Sequence, residues 1–440
     1  MRKGGRCFIF PISVVLTAFI AVSCSEPQKP QERKDGDNIS ASSQITVRFE
    51  NSWGGNDSKA DTLQTVLDKF MKDNPGVEVK NESMFGDDFL PKIKTDFASG
   101  NNPDVFGLWP GSDIRALVKT GKVADLTDIL AEDREWKNSF GKDMWGYTTF
   151  DGRIYGLPVE IIFECLFINR DLFDKYGVKL PETYEDLKEA VKAFREHNII
   201  PIAYNSLAEG TYIYQNFIAA LGGKQAVEHP FEDGGIAGCY VDAMNYVKEL
   251  YHMGAFPKEA FTLTSNARNN LFKSKQAAMI VQGSWFLGEN EIKNTDSNVD
   301  IIRFPSVMGG RSDQSAMIYG LGCGVFYMSR TAADDPEKKA VCIKLLKALT
   351  SGETAALFAE QTGMLSNVEI DSSKVNYGRL TKKGREMLDT SKELIGPPDS
   401  FVDRSVWEDI IVKQFPYVLE EEKSARDLWN EAIKAGAAEN

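Results

Sequence analysis

Apolar residues recur along this chain with two periods that replace one another. Ile45, Val47 and Phe49 alternate with Thr46, Arg48 and Glu50, which predicts a strand with one buried face. Leu63, Val66, Leu67, Phe70 and Met71 then repeat at helical spacing, and Asn74, Pro75 and Gly76 end that helix. A short strand around Val77 and Val79 follows. Phe89, Leu90, Ile93 and Phe97 mark a second amphipathic helix, closed by Gly100. Residues 102–109 read as a strand running into a loop, and Ile114, Leu117 and Val118 as a short helix. Strand alternating with helix predicts a doubly wound α/β sheet, whose ligands bind beyond the carboxyl ends of the strands.

The stretch 151–173 is almost wholly apolar or β-branched. Asp151 and Gly152 form a turn dipeptide at its start. Pro158 suits a strand start, an edge or a crossover. Glu160 and Glu164 are the two acids in the run without an evident role. The alternation begins again after it, so the stretch reads as the passage from one lobe to a second, with Glu160 in the cleft between them. Thr183 is a helix N-cap ahead of Tyr184, Leu187, Val191 and Phe194. Strands are expected at 166–168, 199–204 and 277–281, with helices from Tyr212 and over 241–253. Residues 299–305 are expected to recross to the first lobe. The run 318–328 is interrupted by glycines, which in a strand mark bulges or close approach by another group. After 351 the chain reads as helical patches, with Trp407 at the start of one and Trp429 packing inside the last. The boundaries that follow are 44–158 plus 299–350 for the first lobe, and 159–298 plus 351–440 for the second.

Residues 1–43 differ from all of this. Arg2, Lys3 and Arg6 precede an apolar run at 8–22, the pattern of a secretory signal spanning 1–23 and too short for a settled membrane span of ~20 residues. Ala21, Val22 and Ser23 before Cys24 resemble a bacterial lipoprotein cleavage site, with Cys24 as the lipid-bearing residue, palmitate among its acyl groups. Residues 24–43 then read as a lipidated Cys and a flexible tether. The formal net charge is −13. An acidic chain without basic clusters argues against nucleic acid as a partner, and limits membrane contact to the anchor. Cys165, Cys239, Cys323 and Cys342 sit in apolar surroundings without CxxC spacing, so buried free thiols are expected instead of a zinc site or disulfide frame. No nucleophile elbow, P-loop or dinucleotide fingerprint is present, and no metal or cofactor is expected.

Trp53 and Trp109 fall just past strand ends, each beside Gly, Asn or Asp, where a ligand surface would lie. Trp136 and Trp145 are expected to be structural.

By order and spacing, the segments 100–106, 121–127, 151–160, 167–173 with 176–178, 181–187, 277–280 with 283–285, and the glycine-rich strand before Ser329 resemble the family 1 extracellular solute-binding proteins of bacterial ATP-binding-cassette importers, the group that includes the maltose-binding protein. The resemblance runs from about Ile45 to Phe358. It implies a periplasmic-binding-protein-like fold of type II, with two doubly wound α/β lobes joined by a hinge of about three crossings and closing on a sugar. It implies no catalysis, a monomeric receptor outside the cytoplasm, and importer permease subunits as partners. Carried over by position, Trp109, Asp113, Glu160, Glu209, Tyr212, Trp285 and Trp407 fall where the family contacts sugar. The loop of Trp53 and Asn56 corresponds to its first ligand loop. Gln215 stands where some members have another aromatic. The residue types suit the chemistry: aromatic faces cover the C–H face of a sugar ring, and carboxylates accept from its hydroxyls. Two other readings compete. One is a polyamine or other non-sugar solute held by Asp113, Glu160 and Glu209. The other is a glycan-active enzyme using Glu160 with Glu209 or Glu164 as an acid/base pair.

Overall fold

A computed structural model describes residues 44–438, apart from 86, 87, 233, 289–291, 293–297, 372 and 374. The expected signal, Cys24 and tether lie outside the described residues. Among those described, no helix is long and apolar enough to cross a membrane.

The first lobe is built on a five-stranded sheet. Ile45–Glu50 lies parallel between Val77–Asn81 and Val105–Gly107. Val325–Met328 runs antiparallel beside Val105–Gly107, and Gly156–Pro158 closes the edge. Strand alternation fills both faces. Val47, Phe49, Val105, Phe326 and Met328 point into one core, while Phe106, Val325 and Tyr327 point into the other. Helix Ala60–Asp73 covers the first face with Leu63, Val66, Leu67 and Phe70. Helix Phe89–Ser99 covers the second with Phe89, Ile93 and Phe97. Covering both faces also buries Glu50, which the alternation alone would leave in solvent.

The second lobe is organised around the ten-residue strand Glu160–Asn169. Ala277–Gly283 and Val299–Ile302 pair antiparallel to its outer half. Met317–Leu321 and Leu365–Ser366 pair antiparallel to its beginning. Leu166 and Ile168 face one core, and Phe163, Cys165 and Phe167 face the other. The hairpin before it turns on Asp151 (φ 50°) and Gly152 (φ 75°), the left-handed pair that a two-residue hairpin of matching twist needs. Helix Tyr184–Glu196 starts where expected: Thr183 accepts from the Asp186 amide and Asp186 reaches back, closing a capping box.

The lobe boundaries differ from those read in the sequence. Val299–Ile302 does not recross; it pairs with residues 166–169 in the second sheet. The return comes at residues 322–324, between a strand of the second sheet and Val325–Met328 of the first. Helix Gly352–Thr362 also stays with the first lobe, where Ala355 and Phe358 join its core. Short apolar strands carry no mark of which sheet they enter, so pattern alone could not place these crossings. Three strands of chain therefore pass between the lobes, near Val159, Gly322–Gly324 and Gly363–Leu365. All four described cysteines are buried and free, and burial pushes the Cys323 thiol, inside the second crossing, up to about 12.

Candidate functional site

The crossings bring loops from both sheets to one seam. Glu160 stands at its base and is 4% exposed. Its carboxylate lies 3.4 Å from the Lys59 ammonium and accepts from the Gly324 amide at 3.0 Å. Lys59 is itself buried. Burial alone would lower its pKa, but the charges of Asp57 and Glu160 outweigh that and raise it. A carboxylate opposite a lysine at this place was not expected. Arg153, seven residues before Glu160, pairs with Asp125. The glycines of the second crossing are close-approach positions: a Cβ on Gly322 would lie 2.3 Å from Glu160 Oε2, and one on Gly324 2.5 Å from Glu160 Cβ.

Above this base the lobes leave a gap too narrow to admit a water molecule, lined by Ser58, Lys59, Glu160, Ser284, Trp285 and Thr362. Trp285 is partly exposed, and its ring meets Tyr212 edge-on at 5.4 Å. Tyr212 opens the helix Tyr212–Glu228, and burial raises its phenol pKa well above the usual value. One turn on, Asn216 donates to Glu164 at 2.7 Å. Burial, then the charge of Asp399, raises Glu164 well above the usual carboxylate range. Gln215 donates to Asp399 at 3.3 Å.

The seam ends at Trp109 and Asp113. Trp109 is half-buried, leaning on Phe89 with centroids 5.7 Å apart. Arg404, from the second lobe, places its guanidinium 5.3 Å from the Trp109 ring centre. Its Nε lies 3.4 Å from Asp113 and 2.9 Å from Glu408. Asp113 also pairs with Lys94 at 3.2 Å. Glu209, three residues before Tyr212, is held by Arg268 at 2.7 Å and Gln282 at 3.1 Å.

The structure thus brings Trp109, Asp113, Glu160, Tyr212 and Trp285 to the meeting of the lobes, with Glu209 at the side. It does not bring Trp53 or Trp407. Trp53 is 1% exposed and packs on Phe326 and Phe358 in the first core, touching the crossing from below. Its backbone is turned inward by Asn51, whose side chain accepts the Trp53 amide at 2.9 Å. Asn56 is exposed on the same loop. Trp407 is 1% exposed and stacks on Tyr214 at 5.6 Å. On its segment Ser405–Val412, Trp407 and Ile411 face the core, while Arg404 and Glu408 face the seam. The side chain that reaches the seam is therefore not the expected indole of Trp407 but the guanidinium of Arg404, three residues before it. The i, i+4 spacing of Arg404 and Glu408 was the available signal. Trp136, Trp145 and Trp429 are packing residues, as expected: Trp136 Nε1 donates to Thr350, Trp145 meets Phe140 edge-on, and Trp429 is fully buried.

Two features lie off the seam. Glu50, Glu82 and Asp96 come within ligand distance of one another, and Lys92 and Arg48 thread among them: Lys92 is 2.9 Å from Glu50 and Arg48 is 2.7 Å from Glu82. A cavity of about 700 Å³ in the second lobe is lined by Tyr184, Tyr246, Phe304 and Met308, and none of the sequence-derived candidates lines it.

Residues 56–355 match the family described as bacterial extracellular solute-binding protein, and the chain belongs to that family. Among curated relatives, it is 24% identical over 191 residues to the multiple sugar-binding protein of Streptococcus mutans, covering 43% of this chain and 41% of that one. It is 22% identical over 322 residues to the galactooligosaccharide-binding protein of Bacillus subtilis, covering 72% and 71%. Among solved structures, one from work on xylan utilisation by the thermophilic bacterium Caldanaerobius polysaccharolyticus superposes with a TM-score of 0.78 at 23% identity, covering 89% of this chain and all of that one. This likeness establishes the two-lobed fold of type II solute-binding proteins.

Proposed function

We propose that this chain is an extracytoplasmic receptor that captures a neutral mono- or oligosaccharide at the seam between its lobes. It hands the sugar to the permease subunits of an ATP-binding-cassette importer, and Cys24 tethers it to the membrane through lipid. The observation that carries the reading is the placement of Trp109, Tyr212 and Trp285 beside Asp113 and Glu160 where the two lobes meet. The names of the relatives support a sugar. Aromatic faces take the apolar side of a pyranose, and the carboxylates and amides take its hydroxyls.

The two competing readings lose ground on the same geometry. Asp113, Glu160 and Glu209 each already have a cation within ion-pair distance, so little uncompensated negative charge is left for a polyamine. Of the acids an enzyme would use, Glu160 and Glu209 are held by Lys59 and Arg268, and the backbone positions of Glu160 and Glu164 lie roughly 13 Å apart along one extended strand, wider than the carboxyl spacing of a glycoside-hydrolysing pair. Receptor action needs no chemistry: closing about the three crossings sequesters the sugar and presents a changed surface to the permease.

The test is a thermal-shift panel of neutral mono- and oligosaccharides, with spermidine beside them. At a hundred times its dissociation constant, the right sugar adds about 2.7 kcal/mol of stability. That shift should persist in high salt, because no net charge is neutralised. A shift with spermidine alone, lost as salt rises, would overturn the sugar reading.

A further inference from the structure

We propose that Arg404 is a built-in competitor for the solute, its guanidinium occupying the indole face and carboxylate that a sugar would use. The inference rests on the reading of the seam as the solute site. Arg404 reaches across from the second lobe and is 16% exposed. Its guanidinium carbon lies 5.3 Å from the centre of the Trp109 ring. Nε is 3.4 Å from Asp113 and 2.9 Å from Glu408, and Nη1 is 4.0 Å from Asp399. Burial would lower the pKa of Arg404, but the charges of Glu408, Asp113 and Asp399 more than offset it.

A guanidinium and a pyranose ask the same things of such a socket. Each lays a flat face on an indole and points N–H or O–H donors outward, in its own plane, at carboxylates. Trp109 and Asp113 are therefore shared between Arg404 and any sugar placed there. Three carboxylates stand within ion-pair distance of the arginine, but its buried Nε finds no hydrogen-bond partner among them, so charge and not directed bonding holds it there. A solute that needs Trp109 binds only the fraction of molecules in which Arg404 has swung away. Its apparent affinity falls by that fraction.

A purely structural latch would have the same contacts, so the distinction lies in what remains without the side chain. The Arg404 amide donates to Ser112 Oγ of the first lobe at 2.7 Å, and Ser400 lies against Gly111. Trp407 and Ile411 anchor the segment in its own core. Docking of this segment is therefore written into its backbone and its inner face, and leaves the guanidinium free to exchange.

The experiment has two arms. The first uses no sugar. In Arg404→Ala, methylguanidinium at millimolar concentration should bind saturably, raise the melting temperature towards wild type and shift tryptophan emission. Methylammonium at equal ionic strength should not, and wild type should not respond to either. Lack of a saturable response specific to the variant would overturn the socket. The second arm titrates maltotriose, xylotriose and chitotriose as probes. The saccharide that binds wild type should bind Arg404→Ala more tightly, by about tenfold if Arg404 is displaced a tenth of the time. Arg404→Lys, whose ammonium has no flat face, should fall between them, and it carries the test alone should the alanine variant fail to fold. Equal or weaker saccharide binding in both variants would overturn the competition while leaving the sugar reading intact. Rescue by methylguanidinium with no saccharide bound by any form would overturn the sugar reading, and the competition with it.

Discussion

Glu160 shows how a candidate changes meaning once its neighbours are known. With Lys59 buried opposite it, Glu160→Ala would leave that ammonium to Asp57 alone, at 3.5 Å, and breaking a buried pair typically costs about 3–5 kcal/mol. Loss of binding in that variant would report on folding as much as on ligand contact. Trp285 is the cleaner probe, because its partly exposed ring lies over Gly283 and meets Tyr212 edge-on, and its removal leaves no charge uncompensated. We expect Trp285→Ala to abolish the saccharide-induced change in tryptophan fluorescence while moving the melting temperature little; denaturation and titration of the same sample check both. Glu50 makes a different prediction. Burial, only partly offset by Lys92, pushes its carboxyl up to about 7. An acid whose folded pKa lies above its unfolded value keeps its proton longer when folded. Its contribution is therefore fully present below the unfolded pKa and is lost as pH rises towards 7. Denaturant melts from pH 4.5 to 7.5 should show wild type losing stability, on the order of 1–3 kcal/mol, relative to Glu50→Gln. Lys92, Asp96, Glu82 and Arg48 surround the group, so parallel curves for the two proteins would mean that they hold it ionised throughout. Neither the Lys59 partner of Glu160 nor the burial of Glu50 was legible in the sequence. Lys59 precedes one helix and Lys92 lies in another, the docking of each is decided by apolar residues elsewhere, and a charged residue carries no sign of what will cover it.

The elements that were legible are those whose own residues set their geometry. The strand at 45–50, the N-cap at Thr183, and the turn at Asp151 and Gly152 depend on local spacing and backbone preference, and all three formed, the strand with both faces covered and the cap extended to a capping box. The glycines around 320–324 were recognisable as close-approach positions, though not what approaches them. That turns out to be Pro397 at Gly320, and the Glu160 side chain and the Trp53 ring at Gly322 and Gly324. A Cβ on Gly324 would sit 2.5 Å from Glu160 Cβ and 2.6 Å from Trp53 Cζ2, so Gly324→Ala must push apart two buried groups at a crossing. The expected cost is about 1–3 kcal/mol, as for overpacking, read as a lower denaturation midpoint with an unchanged slope. Gly146→Ala, where nothing lies within 4 Å, is the matched control and should be near neutral. The segment Ser405–Val412 was the failure at this scale. An indole in a candidate ligand loop is a strong cue, but a helix shows its large apolar face to the core and its charged face outward. Arg404 and Glu408 take the seam for that reason.

For the whole molecule, two sheets with covered faces leave the three crossings as the places where chain can bend without opening a core. Small-angle scattering should therefore show a smaller radius of gyration when a saturating saccharide is added, with no change in secondary structure by circular dichroism. An unchanged radius at saturation would mean that the solute binds without lobe closure. Family membership and the two-lobed α/β architecture were readable from the sequence, because they are spread over many weak, ordered signals between residues 45 and 358. Element type was readable too, since period 2 and period 3.6 follow from local backbone geometry. Tertiary structure alone decided which sheet received Val299–Ile302 and Met317–Leu321, where the chain recrosses, which indoles face the seam, and which cation stands opposite each acid. Those outcomes depend on contacts between residues far apart in the chain, among strands of similar apolar composition, and only the packed arrangement selects one pairing over the others.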